Sequence, residues 1–294
     1  PATAGLFHLM QADSKNIAIV CNPLAGAGRA VALAGKIRSV LSDKQISYSL
    51  FKETWPPDFN GFTDVWIVGG DGTLNYFVNQ YPDINQPLVI FNGGTGNDFH
   101  WLLYGNNSFE EQIQLTLSAI PKPIDLGRCN EKFFINGIGI GFEGEVAKSL
   151  TGKKKKAGKA SFMAMILRKI FSYRSKIYRV ITDTKPVASK KYMIIDISNG
   201  SRAGGGFHIA PQAKADDGLF DIVLIDALRP LNRLRWLPVI EKGKHLGLPF
   251  IHHFRAKKIS IESEDIIQFH LDGEYDAVKK LEVDLMPGKL LFRY

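Results

Sequence analysis

The sequence predicts an α/β lobe with a mainly parallel sheet, followed by a β-sandwich lobe. Three observations predict it. Apolar strands alternate with helix-like segments only as far as residue 125, three of those strands end in polar or glycine turns, and beyond Asp125 short β-like runs succeed one another with little helix between them. A chain of 294 residues is long enough for two lobes with separate cores, and the change of texture divides it into 1–125 and 126–294.

Residues 16–23 read as a buried strand, 28–44 as a helix, 46–53 as a strand, 64–70 as a second buried strand, 74–81 as a helix and 87–94 as a strand. That order implies βαβ units and a parallel sheet, in which ligands sit beyond the carboxyl ends of the strands. The turns after residues 21, 68 and 91 are therefore expected to line one crevice. In the second lobe, strand-like runs begin near residues 132, 178, 191, 220, 256, 266 and 281. Two segments interrupt them: a basic, helix-like insertion near 151–180, and 231–245, which reads as a helix kinked at Pro238.

Composition narrows the function classes. With 45% hydrophobic and 22% charged residues the chain fits a folded globular protein, and no apolar run approaches the roughly 18 residues of a membrane span. Residues 1–16 lack the pattern of a secretory signal. The two cysteines, Cys21 and Cys129, form neither a disulfide framework nor a metal pair; they read as buried thiols of a cytoplasmic protein. The net charge of +8 is uneven: 151–191 holds thirteen Lys and Arg against Asp183 alone and nets +12, leaving −4 for the remainder. Such a block suits an anionic partner, membrane or nucleic acid, or is a solvated face. The lysine run has no interleaved aromatics and matches no nucleic-acid motif, so nucleic acid is not expected. His208, His245, His252, His253 and His270 show no ligand spacing and read as structural or surface groups.

The segment Gly69–Gly70–Asp71–Gly72–Thr73–Leu74–Asn75 joins a buried strand to a helix with three glycines and one carboxylate. It lacks the lysine of a P-loop, but its main-chain N–H groups and helix end can face polyphosphate, with Thr73 adding a hydroxyl or capping the helix. A carboxylate there is repulsive to phosphate unless a Mg²⁺ lies between them or the carboxylate takes a proton from a nucleophile. The turn at 93–99, Gly-Gly-Thr-Gly-Asn-Asp-Phe, repeats the chemistry at the end of another strand. A GxGxxG match at 139–144 lies outside a clear βαβ context and reads as a glycine-rich strand junction.

Five motifs in order carry a resemblance: Cys21 to Arg29 (CNPLAGAGR), Gly69 to Asn75 (GGDGTLN), Gly94 to Phe99 (GTGNDF), Gly204 to Ile222 and Leu271 to Glu274 (LDGE). Together they resemble the signature of the diacylglycerol kinase catalytic-domain family, which includes soluble bacterial lipid kinases and the sphingosine and ceramide kinases, over about residues 15 to 285. The resemblance implies a nucleotide lobe, a β-sandwich lipid lobe, and transfer of phosphate from ATP to a lipid hydroxyl with Mg²⁺. It implies Asp71 as the essential carboxylate, Glu274 as a carboxylate returning from the second lobe with Asp272 beside it, and Asp98 as a third catalytic acid. Asn22, Gly69, Gly70, Gly72, Thr73, Asn75, Thr95 and Asp125 would border the nucleotide. A structural Mg²⁺ would lie on the side chain of Asp217 and the carbonyls of Lys214 and Leu219, with Asp216 adjacent. Asp71 and Glu274 both remain candidates for the general base, while Asp125 and the pairs Asp272–Gly273 and Asp217–Gly218 also read as turns.

The expected partners are ATP, a lipid alcohol and an anionic membrane surface held peripherally by the basic segment, with a homodimer left open. Phe162, Met165, Ile166, Ile170 and Phe171 fall near helical spacing there and read either as core or as a membrane face. Two other classes remain: a NAD kinase, which shares the GGDGT turn, and a nucleotide- or lipid-binding relative without turnover. Diacylglycerol, sphingoid base, phosphatidylglycerol and undecaprenol-like alcohols are not separated by the sequence.

Overall fold

The computed structural model describes residues 15–151, 159–184 and 187–294. In the first lobe, β1 (Asn16–Cys21), β3 (Asp64–Gly69) and β4 (Leu88–Asn92) are apolar runs buried on both faces, and with β2 (Ser47–Phe51) they pair in parallel in the order β4-β3-β1-β2. Helix α1 (Arg29–Asp43) buries Ala30, Ala34, Ile37 and Leu41, one stripe at helical spacing, against that sheet. Helix α2 (Asp71–Gln80) starts directly at the end of β3 and buries Leu74, Phe77 and Val78.

Two further helices, α3 (Asp98–Tyr104) and α4 (Phe109–Ser118), fill the stretch before the second lobe. Ser108 caps α4: its side chain accepts the Glu111 N–H while Glu111 reaches back to the Ser108 N–H.

The second lobe is antiparallel: β5 (Lys122–Cys129), β6 (Lys132–Phe134), β7 (Gly137–Gly141), β8 (Lys176–Thr182), β9 (Lys190–Ser198), β10 (Phe220–Asp226), β11 (Ile251–Ala256), β12 (Lys258–Leu271) and β13 (Glu274–Phe292). Strand β8 pairs with β9 through its first half and with β12 through its second, folding the layer over a core that includes Phe134, Tyr178, Tyr192, Phe220 and Phe269. Helices α5 (Phe142–Leu150), α6 (Lys159–Ser172) and α7 (Pro230–Glu241) cover the outer face, and α7 runs through Pro238.

The GxGxxG segment is the junction of β7 with α5. Gly141 holds φ +83°, and a methyl on Gly144 would lie 2.1 Å from the Gln268 carbonyl, so these glycines serve close helix–sheet packing. In α6, Ile166 and Ile170 are core whereas Leu167 and Phe171 are exposed, so the apolar stripe is split between interior and surface. Lys153 to Lys156 and the Phe162 side chain lie outside the described residues.

Strand β13 joins the lobes. Its first part forms a hairpin with β12, its second part pairs with β5, and Phe292 lies in register with Leu88 of β4. Phe292 packs on Phe99, Arg293 pairs with Asp64 and donates to the Ala119 carbonyl, and Tyr104 donates to the Arg293 carbonyl. The last strand thus packs back on the first lobe.

Candidate active site

The three turns converge at the carboxyl ends of β1, β3 and β4. A methyl on Gly70 would meet the Gly96 carbonyl at 2.7 Å and Gly94 Cα at 2.9 Å, and one on Gly69 would meet Thr73 Oγ1 at 2.4 Å. Those two glycines are required because turn packs on turn. Gly72 is different: it is exposed, and the nearest group to a methyl there is Glu274 Oε1 at 3.6 Å. Of the three, Gly72 faces the opposite lobe at the start of α2, with no side chain capping that helix end.

Side chains tie the turns together. Asn22 donates to Thr73 Oγ1 at 3.0 Å and accepts the Leu24 N–H at 3.0 Å. Arg29 donates to the Gly94 carbonyl at 2.7 Å and to the Gly26 carbonyl at 3.1 Å. Arg29 was given no role from sequence, although it ends the first motif; the structure makes it the cation that bridges the first and third turns.

Asp71 is the first residue of α2, yet its carboxylate serves α3: Oδ2 accepts the Asp98 N–H and Oδ1 the Phe99 N–H, each at 3.0 Å. Burial first, and the nearby Asp98 charge second, push its carboxyl up to about 6 against those two donors. A carboxylate so tuned is half-ionised near pH 6 and mostly ionised at neutrality, which suits a proton acceptor.

Asp98 itself is buried, with Oδ1 accepting from Arg202 Nε at 3.1 Å and Oδ2 from the Gly205 N–H at 2.7 Å. Both oxygens of Asp98, expected as a catalytic acid, thus tether the 199–207 loop of the second lobe. Arg202 also lies over the Trp101 ring, 4.4 Å from its centroid. Beside this tether is a cleft of about 390 Å³ lined by Asn92, Thr95, Asn97, Trp101, Asn107 and Arg202 among others. Thr95 is exposed on its wall.

From the second lobe, Asp272 and Gly273 form the two-residue turn of the β12–β13 hairpin, with φ +47° and +89°. The Asp272 carboxylate accepts the N–H groups of Ile135, Asn136 and Gly137 at 2.8–2.9 Å and the Asn75 amide at 2.9 Å. It is scaffold. Asn75, expected at the nucleotide, and Asn79 of α2 both donate to the Phe133 carbonyl, at 3.1 and 2.9 Å, and so tie α2 to the second lobe. The hairpin turn leaves Glu274 exposed, with its carboxylate directed at Gly72.

Asp125 is also a node of the scaffold: it accepts the Gly218 N–H at 2.8 Å and the Gly288 N–H at 2.7 Å, and its own N–H donates to the Ala215 carbonyl. It thereby holds the 214–219 loop. In that loop Asp217 accepts the Leu219 N–H at 3.2 Å, and burial, with the Asp221 and Asp125 charges adding to it, raises its carboxyl. Asp216 accepts from the Tyr294 hydroxyl at 3.3 Å. Among the described residues no group of three acidic, His or Cys side chains stands at metal-binding spacing. Both cysteines are buried, and burial raises the thiol of each, that of Cys129 to about 12.

An α/β lobe whose turns face a β-sandwich carboxylate is the architecture of a phosphotransferase, shared by diacylglycerol and NAD kinases. Residues 16–129 match the diacylglycerol kinase catalytic domain, and residues 136–292 the YegS C-terminal NAD kinase β-sandwich-like domain. The chain belongs to the diacylglycerol kinase catalytic-domain family of lipid kinases, whose members phosphorylate an alcohol group. It is 30% identical over 234 residues to a YegS-like lipid kinase of Shewanella frigidimarina, spanning 78% of this chain and 75% of that one. A solved Bacillus anthracis diacylglycerol kinase shares the fold with a TM-score of 0.69 at 23% identity, over 96% of this chain and 97% of the other. An Archaeoglobus fulgidus NAD kinase solved with ATP gives 0.53 at 15% identity, over 95% and 93%.

Proposed function

We propose that this chain transfers the γ-phosphate of ATP to the hydroxyl of a membrane lipid, diacylglycerol or a close relative, with residues 1–125 holding the nucleotide and 126–294 the lipid. One observation carries the reading: the Glu274 carboxylate of the second lobe meets the exposed Gly72 of the first, beside Asp71. Phosphate would lie over Gly72 and the start of α2, with Asn22, Thr73 and Arg29 fixing the turn that receives it. The nucleoside would occupy the cleft at Thr95 and Asn97, whose volume of about 390 Å³ suits it.

Phosphoryl transfer needs charge neutralisation and alignment more than covalent chemistry. Mg²⁺, bound with ATP, supplies the first. The Glu274 carboxylate facing Gly72 is a hard oxygen donor of the kind Mg²⁺ takes, and such a site needs one or two carboxylates while phosphates and water complete the shell. A second Mg²⁺ would be held by Asp217 and the carbonyls of Lys214 and Leu219, where a cation would favour the ionised carboxylate that burial first, and the Asp221 and Asp125 charges after it, disfavour. Asp71, with its raised carboxyl, accepts the hydroxyl proton, and Glu274 orients the acceptor.

Access to lipid runs through α6 and α7. Phe171 and Leu231 are 59% and 74% exposed, with Arg168, Arg174, Arg229 and Arg235 in the same segments, a pairing of apolar and cationic groups suited to peripheral attachment at an anionic bilayer. Purified protein incubated with radiolabelled ATP, Mg²⁺ and mixed micelles of diacylglycerol, sphingosine, ceramide or phosphatidylglycerol should label one lipid and leave NAD unlabelled. Label in NAD alone would move the activity to the NAD kinases. Binding to vesicles should rise with phosphatidylglycerol and weaken with salt; indifference to both would remove the electrostatic attachment.

A further inference from the structure

We infer that His270 is a positioning residue for Glu274, held in one tautomer between the backbone of the Asp272–Gly273 turn and Glu143. The inference rests on the role proposed for Glu274, and its evidence is a chain of contacts that the phosphate-transfer reading does not use. Three strands align a row of residues on one face: Asp196 of β9 stands opposite Gly139 of β7, and Gly139 opposite His270 of β12. Gly139 leaves a gap in the middle of that row. Glu143, from the first turn of α5, lies over the gap, and its Oε2 is 3.3 Å from His270 Nε2. A methyl on Gly139 would lie 2.0 Å from Glu143 Oε2 and 2.4 Å from His270 Nε2, so glycine there is the condition for the two side chains to meet.

The other ring nitrogen faces the turn. The Gly273 N–H donates to His270 Nδ1 at 3.2 Å. An Nδ1 that accepts carries no proton, so the proton of the neutral ring is on Nε2 and is donated to Glu143. Glu143 Oε1 is buried and, among the described residues, has no hydrogen-bond partner, while Oε2 faces His270. His270 therefore takes its orientation from α5 and passes it to the turn, where Glu274 follows Gly273 directly.

Both turn residues have positive φ, the conformation an Asp-Gly hairpin turn prefers, and side-chain contacts fix the turn further. Asp272 fixes one end of it through the 135–137 backbone, and His270 fixes the other through Gly273. Loss of the second anchor should leave the lobe folded and ATP bound but let Glu274 swing away from the acceptor.

Substitutions separate the two contacts of the ring. His270→Asn places an acceptor near Nδ1 and gives up Glu143; His270→Gln places a polar group near Nε2 and gives up Gly273. Asn should keep kcat within about threefold, whereas Gln, Ala and Gly139→Ala should lower it by roughly 10- to 100-fold with the KM for ATP within about twofold, the scale expected of a displaced reacting group. Equal loss in Asn and Gln, or an Ala variant with wild-type kcat, would overturn the assignment. Nitrogen-15 histidine spectra, assigned by the signals missing from His270→Asn, should show Nε2 protonated and Nδ1 bare, and Gly139→Ala should shift both resonances. A protonated Nδ1 would overturn the inference in a protein of any activity. Wild-type protein that transfers phosphate to no lipid would instead remove the lipid-kinase reading, and the spectra would then decide the pairing alone.

Discussion

Two Asp-Gly pairs at the centre of this molecule look alike in sequence and do different work. Asp71–Gly72 ends a strand of the first lobe, and Asp272–Gly273 ends one of the second. Each aspartate gathers backbone N–H groups from elsewhere in the chain: Asp71 takes two from α3, and Asp272 takes three from residues 135–137 and a fourth donor from Asn75. Two donors leave Asp71 with spare lone pairs and a carboxyl lifted to about 6, beside a glycine open to the other lobe. Four donors occupy Asp272, whose carboxyl burial also raises, and the exposed carboxylate of this turn lies two residues on at Glu274. The two pairs thus differ in how many donors each aspartate holds.

The largest effect that tests this contrast is on turnover. Asp71→Asn should lower phosphate transfer by about 10³-fold, the scale of a lost general base, without lowering the melting temperature. The sign follows from the raised carboxyl. A folded-state value near 6, above the ordinary 3.8, means that the folded chain binds the proton more tightly, so the Asp71 contribution to stability is most favourable below about pH 4 and falls as pH rises through 6. An uncharged Asn escapes that loss, up to about 3 kcal/mol at pH 8, and gives up one charge-assisted acceptor of roughly 1–2 kcal/mol. Melting curves of wild type and variant should therefore converge or cross as pH falls towards 4; a variant less stable at pH 8 than at pH 4.5, relative to wild type, would refute the burial argument. In the wild type the acid limb of kcat should fall near pH 6. Glu274→Gln should cost about 10²-fold in kcat, and because the residue is exposed its unfolding free energy should move by less than about 0.5 kcal/mol.

Much of the first lobe was legible because its strands are unbroken apolar runs and α1 has a clear 3.6-residue stripe. Helices α3, α4 and α5 were not assigned. Helix α3 has only seven residues and starts on polar Asp98, and α5 follows β7 with no spacer beyond Gly141. For α4 a local signal existed in Ser108 and Glu111, the spacing of a reciprocal cap. In the site, the placement of Asp71 and Gly72 at the end of a strand and of Glu274 after a hairpin turn was legible from the local motifs. The hydrogen-bond partners of Asp98, Asp125, Asn75 and Asp272 were not, because they lie 58 to 197 residues away, such as Arg202 for Asp98 and Asn75 for Asp272. An acid near a glycine turn carries no record in sequence of whether its oxygens are already taken.

Two smaller effects sharpen the scaffold side of the comparison. Asp272→Asn replaces one acceptor oxygen by an amide that points a donor at backbone donors, and should cost about 2 kcal/mol of stability together with most of the activity. Asn75→Ala removes the α2 partner of Asp272 and one of two amides on the Phe133 carbonyl, but Asn79 still donates there and accepts the Phe133 N–H at 2.9 Å. The loss in unfolding free energy should therefore be about 1 kcal/mol, measured by urea titration. Because Asn75 sits between the lobes, ATP affinity should stay within about twofold while kcat falls with the looser approach of Glu274 to Gly72. A variant that binds ATP tenfold more weakly with kcat unchanged would return Asn75 to the nucleotide and make the first-lobe turn, not the lobe interface, its proper context.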